Sequence, residues 1–305
     1  MERPATDAED ARAEAETRAP AGRAAMRREV RAGAALLAAG FAFAAAGSAL
    51  LQRAPESPRT QLLAGLSAQM LFLCTAFGVA FLAGQALPRA LALGRPRLSA
   101  LELALVAVGF VCVSHALGLL ISLAALRDTG TLAELDRIVT ASEGPSRVLA
   151  FVAIGLAPAF GEELLFRGLV QQLALPRLGA AGAVVVSSLA FAAVHGDPVQ
   201  SPAAFGLGLY LGAAALAGAS VWTAVLCHGV NNSLSVVMPS FAIALAPGAQ
   251  VGAAFGLLGA GVVLLGAVAG RARARPSADA PAGGSPGLRD PDAGAPLQRE
   301  APPAD

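Results

Sequence analysis

Long apolar runs recur along this chain, separated by short clusters of Arg, Pro, Ser and acidic residues. A helix crossing a bilayer needs about 20 mostly apolar residues. By that measure the candidate spans are 32–51, 62–87, 100–126, 148–174, 180–194, 203–220, 221–238 and 251–269. The pattern predicts an all-α, polytopic transmembrane helix bundle of about eight spans, occupying 32–270. The four spans between 148 and 238 are shorter and carry polar residues. Gly and Ala recur along every span, as close helix contact in lipid requires.

Composition agrees with this reading. The chain is 55% hydrophobic and 14% charged, against about 25% charged in a soluble domain. A net charge of +1 offers no field for nucleic acid; the partners expected are the lipid bilayer and a membrane-associated peptide or protein. Cys74, Cys112 and Cys227 all sit in apolar runs, which suits buried packing residues better than a disulfide framework. Residues 1–31 read as a disordered N-terminal extension, and 271–305, rich in Pro, Ala, Gly and Asp, as a disordered C-terminal tail.

Loop charge orients the bundle. Arg23, Arg27, Arg28 and Arg31, then Arg89, Arg95 and Arg97, then Arg167 and Arg177, and finally Arg271, Arg273 and Arg275 share one side if the spans alternate. The other side holds Arg53, Arg59 and a mixed loop with Asp128, Glu134, Asp136 and Glu143. The positive-inside rule then predicts a multi-pass cell-membrane protein with both termini cytoplasmic.

A charged group at membrane depth costs about 2.5–3.5 kcal/mol on insertion scales, so polar residues inside spans carry information. Glu162 and Glu163 are adjacent. Glu163 and Arg167 stand at i,i+4 with the acid first, the favourable order for an ion pair. Glu162 points about 100° away on the 3.6-residue helix and stays free to titrate. His195 ends an apolar run in which Ser188 and Phe191 share its face, so the ring can stack while a hydroxyl orients it. His228 and Asn232, four residues apart, project from one face of a later span. Two carboxylates, two imidazoles and a carboxamide in one bundle can activate water and stabilise an oxyanion. The same groups could equally serve a non-catalytic protein, in peptide or proton-coupled transport or self-immunity. Gly218-Ala219-Ser220 resembles a rhomboid nucleophile, although Val221 stands where a Gly is expected.

The ordered set Glu162-Glu163-x-x-x-Arg167, Phe191-x-x-x-His195 and His228-x-x-x-Asn232 resembles the three motifs of the CPBP intramembrane proteases. That family includes CAAX-prenyl endopeptidases and the bacteriocin-processing and self-immunity (Abi) proteins. The resemblance covers the core at 148–238 and implies peptide-bond hydrolysis. Glu162 and His195 would then activate water, with His228 and Asn232 holding the oxyanion and Glu163, Arg167 and Phe191 in support. Some members are described as zinc enzymes, in which case Glu162, His195 and His228 would be the ligands. The missing His-Glu-x-x-His pattern and the weakness of Asn as a zinc ligand favour glutamate chemistry with no cofactor. For Glu162 to reach the level of His195, the fourth helix must run on toward Pro176.

Overall fold

The computed structural model describes residues 57–238 and 246–275. Its helices are α1 (Pro58–Leu82), α2 (Leu87–Ala90), α3 (Ala100–Leu123), α4 (Gly130–Ala141), α5 (Pro145–Ala193), α6 (Gln200–Gly218), α7 (Val221–Val237) and α8 (Pro247–Ala274). Among the described residues, α1, α3, α5, α6 and α8 are long and apolar enough to cross a membrane. The fold is therefore an all-α, polytopic membrane bundle with five such helices. The count of eight is not reached on this measure for three reasons. The 32–51 run lies outside the described residues, the runs 148–174 and 180–194 join into α5, and α7 has 17 residues.

Helix ends follow the local sequence. Ser57 caps α1, its hydroxyl accepting from Thr60 N–H, with Pro58 at the first helical position. Ser99 and Glu102 close a reciprocal capping box on α3. At the other end of the chain Arg275 reaches back to Glu102 through contacts of 2.7 and 2.8 Å and to the Arg97 carbonyl at 2.9 Å. The C-terminal polar tail thus begins beyond 271, because α8 continues to Ala274. The expected mixed-charge loop also differs: its residues 130–141 form the amphipathic helix α4.

Helix α5 is interrupted in ways its sequence dictates. It widens into π-helical turns at Phe151–Leu156 and Leu164–Val170, on either side of the seven residues Ala157–Glu163. Pro158 lacks an N–H, so the carbonyl four residues before it, Ile154, loses its usual donor. The Asn232 amide supplies one at 3.2 Å. A sharper break falls at Gly179 (φ 67°, ψ −179°), a backbone conformation open to glycine.

That break folds α5 back on itself. Ser187 donates to the Phe166 carbonyl at 2.8 Å, and the rings of Phe166 and Phe191 meet edge to face at 5.4 Å. Glu162 lies 17 residues before Gly179 and His195 lies 16 after it. At 1.5 Å per residue both stand about 25 Å from the turn. The continuation toward Pro176 that the sequence reading requires is present, and with the break at Gly179 it brings the two motifs to one level.

Packing is close where side chains are small. A Cβ on Gly161 would lie 2.8 Å from the Gln69 carbonyl oxygen of α1, and one on Gly155 would lie 3.3 Å from Ser233 Oγ of α7. The three cysteines are free. Arg97 N–H bonds Gly218 O, Val221 N–H bonds Ala92 O, and Trp222 Nε1 donates to Leu93 O at 2.9 Å. The α2–α3 loop is thereby stapled to the α6–α7 corner.

At the opposite end Asp197 ties α4 to the start of α6. Its carboxylate accepts from Gln200, Val199 and Thr131 N–H at 2.7–3.0 Å. The hydrogen bond from Gln200, then those from Thr131 and Val199, hold its pKa down to about 2. A carboxylate with a depressed folded pKa contributes stability that is complete above its ordinary value near 3.9 and disappears as pH falls through the folded value. The thermal midpoint in detergent should accordingly fall between about pH 4 and pH 2. In Asp197→Ala that acid-dependent component should be missing, and the pH 6 midpoint should be lower than in wild type.

Candidate active site

The centre of the site is a buried carboxylate. Glu163 is fully buried, and its Oε1 accepts from Arg167 Nη1 at 3.0 Å and from His228 Nδ1 at 2.8 Å. Arg167 sits one turn on, as the i,i+4 spacing requires, and is equally buried. Its other terminal nitrogen donates to Gly208 O at 3.0 Å, and its guanidinium lies 4.4 Å from the centre of the Phe191 ring, within cation–π range. One turn further along, Gln171 donates to Gly212 O at 3.1 Å. The two donors and the two glycine carbonyls are each four residues apart, so they form parallel rungs between α5 and α6. A Cβ on Gly208 would lie 3.1 Å from Arg167 Nη2, and one on Gly212 would lie 2.8 Å from Gln171 Oε1. Glycine is what lets the long side chains reach the backbone.

Glu162 faces elsewhere. Its Oε1 accepts from Gln69 Nε2 at 2.9 Å, and its Oε2 lies 3.9 Å from His228 Nε2. His228 therefore stands between the two glutamates, bonded to Glu163 through Nδ1 and presenting Nε2 toward Glu162. A carboxylate held by a guanidinium accepts and does not donate, so the Nδ1 proton belongs to His228. At 3.9 Å the Glu162 Oε2 and His228 Nε2 atoms lie beyond direct hydrogen-bond length.

His195 is placed by Phe191. The rings stack edge to face at 4.9 Å, and His195 Nδ1 donates to the Phe191 carbonyl at 2.8 Å. Ser188 does not orient this imidazole as its place on the helix face suggested: its hydroxyl donates to Val184 O at 2.7 Å. Phe191 also meets His228 edge to face, with ring centres 6.2 Å apart, and so contacts both imidazoles. Asn232 is engaged at both ends, donating to Ile154 O and accepting from Asn231 Nδ2 at 3.2 Å. Its tie to Ile154 offsets the carbonyl that Pro158 leaves unpaired.

Ser220 does not fit a nucleophile. It caps α7, accepting from Trp222 N–H, and its hydroxyl donates to Gly94 O at 2.5 Å. Zinc fits poorly as well. A zinc cage needs three or four donors about 2.0–2.3 Å from one point. Among the described residues no three His, Cys, Asp or Glu side chains converge in that way. Glu162, His195 and His228 are accordingly not such a group.

Sequence reasoning missed Gln69, Gln171 and Gly208. Gln69 and Gln171 are polar residues inside apolar runs, the signal that singled out the glutamates. Their signal is weaker, because an uncharged amide costs less in lipid and neither amide has a partner at helical spacing. Gly208 acts through its carbonyl, which leaves no mark in sequence.

Residues 144–234 match the family model described as type II CAAX prenyl endopeptidase Rce1-like. The matched stretch contains Glu162, Glu163, Arg167, Phe191, His195, His228 and Asn232. No curated protein and no solved structure matches the chain.

The Glu163–Arg167 pair makes a direct stability test. Removing one partner of a buried ion pair leaves an uncompensated charge and costs about 3–5 kcal/mol. Arg167→Met should therefore lower the thermal midpoint strongly or abolish folding in detergent. Arg167→Met combined with Glu163→Leu should recover much of that loss.

Proposed function

We propose that this chain, whose residues 144–234 form a CPBP (Rce1-like CAAX protease) domain, hydrolyses a peptide bond in a membrane-associated protein or peptide by glutamate- and histidine-activated water. The observation that carries the reading is the arrangement of Glu162, Glu163 and His228. One buried glutamate fixes the imidazole, and the other faces it across 3.9 Å.

In this mechanism Glu162 accepts a proton from water as the oxygen attacks the peptide carbonyl. The tetrahedral oxyanion is met by the second amide hydrogen of Asn232, while His195, whose Nδ1–H is committed to the Phe191 carbonyl, offers its unprotonated Nε2 to assist Glu162 in activating the water. His228, its Nδ1–H held by Glu163, carries the proton toward the leaving amine as the C–N bond breaks. Apolar walls around the cluster, including Phe191 and Phe166, limit bulk water and strengthen these interactions. The three motifs thus share one reaction, with Glu163 and Arg167 in positioning roles.

The family match supports a prenylated CAAX-type peptide as the substrate class. The bundle presents that site from within the membrane. The Gly179 break divides α5 into two crossings and α7 adds a short one; the eighth span of this reading, 32–51, rests on its apolar sequence and lies outside the described residues. Both termini lie on the cytoplasmic side in this reading. Support comes from Arg89, Arg95, Arg97, Arg271 and Arg273, which are exposed, and from the Arg275 contacts that bring the α8 terminus to the start of α3.

Purified protein in liposomes should cleave an internally quenched, farnesylated peptide ending in a CAAX sequence, as read by fluorescence and mass spectrometry. Glu162→Gln should lower kcat by about 10²–10⁴-fold, and His228→Ala should do the same. Ser220→Ala should retain catalysis, and a chelator should leave the rate unchanged. Cleavage by Glu162→Gln at the wild-type rate would overturn the reading. Binding of the peptide without cleavage by wild type would favour a transport or immunity role.

A further inference from the structure

Glu162 is not positioned by its own helix alone. We infer that Gln69 of α1 is a positioning residue for the reaction, anchoring one oxygen of Glu162 so that the other faces His228 and the water. This inference rests on the role proposed for Glu162.

Four observations point to it. Gln69 is 8% exposed and Glu162 9% exposed, so the contact between them is shielded. The Gln69 amide donates at 2.9 Å to Oε1, whereas the oxygen nearest His228 is Oε2. The two oxygens of one carboxylate therefore have separate tasks. A carboxylate only accepts, which fixes the Gln69 amide with its NH2 toward Glu162. Finally, Gly161, immediately before Glu162, brings the helices together: a Cβ there would stand 2.5 Å from Gln69 Oε1, 2.8 Å from its carbonyl oxygen and 3.1 Å from its Cα.

The bland alternative is interhelical glue. Gln171, which does hold two helices, donates to a backbone carbonyl of α6, whereas Gln69 donates to the carboxylate that faces His228. Here Gln69 Oε1 has no partner among the described residues, although a buried unpaired acceptor costs about 1–3 kcal/mol. The amide is committed to the carboxylate at the expense of its own satisfaction. A free carboxylate rotates about its last torsion. Anchoring one oxygen removes that freedom before substrate arrives, and such preorganisation acts on the rate more than on binding.

The test uses Gln69→Met, which keeps the length of the side chain and loses the donor. It is measured beside Gln69→Glu, which keeps the shape and presents a carboxyl group. Both proteins are assayed in liposomes with the farnesylated quenched peptide. Their infrared spectra are recorded across pH, with the Glu162 carboxyl stretch identified by its loss in Glu162→Gln. The inference expects kcat to fall about 10–100-fold with KM within about twofold, and the Glu162 stretch to shift in frequency. If Gln69→Met fails to fold, Gln69→Glu is read against the same expectations.

An unchanged kcat in a folded variant would overturn the inference, whether or not the band moves. A rise in KM with kcat preserved would overturn it too, by assigning Gln69 to substrate binding. Failure of wild type itself to cleave would overturn the proposed function. The two failures are distinguishable, because the infrared shift reports the Gln69–Glu162 contact without turnover.

Discussion

The Glu163 carboxylate is the contact on which the rest of the site depends. Through one oxygen it accepts from Arg167 on its own helix and from His228 on α7. Arg167 extends the connection to Phe191 and to Gly208 of α6. One buried anion thereby joins all three motifs. Taking a carboxylate and a guanidinium out of water is expensive, and mutual attraction offsets the cost only when the geometry is good and other hydrogen bonds complete it. The bonds to His228 and Gly208 O supply part of that completion, while Glu163 Oε2 and Arg167 Nε find no partner among the described residues. The pair is better understood as a device that specifies position than as a source of net stability.

Helical irregularity serves the same end. A regular helix has no free carbonyls for neighbouring side chains to use as sole acceptors. Pro158 removes the usual donor to the Ile154 carbonyl, which Asn232 takes as its acceptor, while Ser187 bonds to the Phe166 carbonyl alongside the π-helical bond from Gln171 N–H. π turns of this kind recur at functional sites. Gly179 then reverses α5, so that the glutamate motif and the histidine motif belong to one folded-back stretch. Their relative depth is set by residue count along helices that cannot stretch.

Much of this was legible in the residues. Membrane character followed from hydropathy, and the 26-residue apolar run at 62–87 anticipated α1 to within a few residues. The glutamate and histidine positions stood out because ionisable groups inside apolar runs need a reason to be there. The Glu163–Arg167 spacing was readable from helical periodicity, since both partners lie on one helix. Contacts between helices were not readable in that way. Nothing local to Gln69 announces Glu162, 93 residues on, and nothing local to His228 shows which glutamate it joins. The hydroxyl of Ser188, one helical turn from a backbone acceptor, took that acceptor in place of the imidazole. This is the common outcome for serine inside a helix. The amphipathic helix α4 is hard to read from sequence, because its charges resemble those of a connecting segment.

The account turns on which nitrogen of His228 carries the proton. Nitrogen-15 NMR of histidine-labelled protein, with His228 assigned by its loss in His228→Gln, reads this directly. With Glu163 accepting at Nδ1, the neutral ring should be the Nδ1–H tautomer with Nε2 unprotonated and facing Glu162, and Glu163→Gln should abolish that preference. An Nε2–H tautomer in the wild-type protein, unaffected by Glu163→Gln, would contradict it.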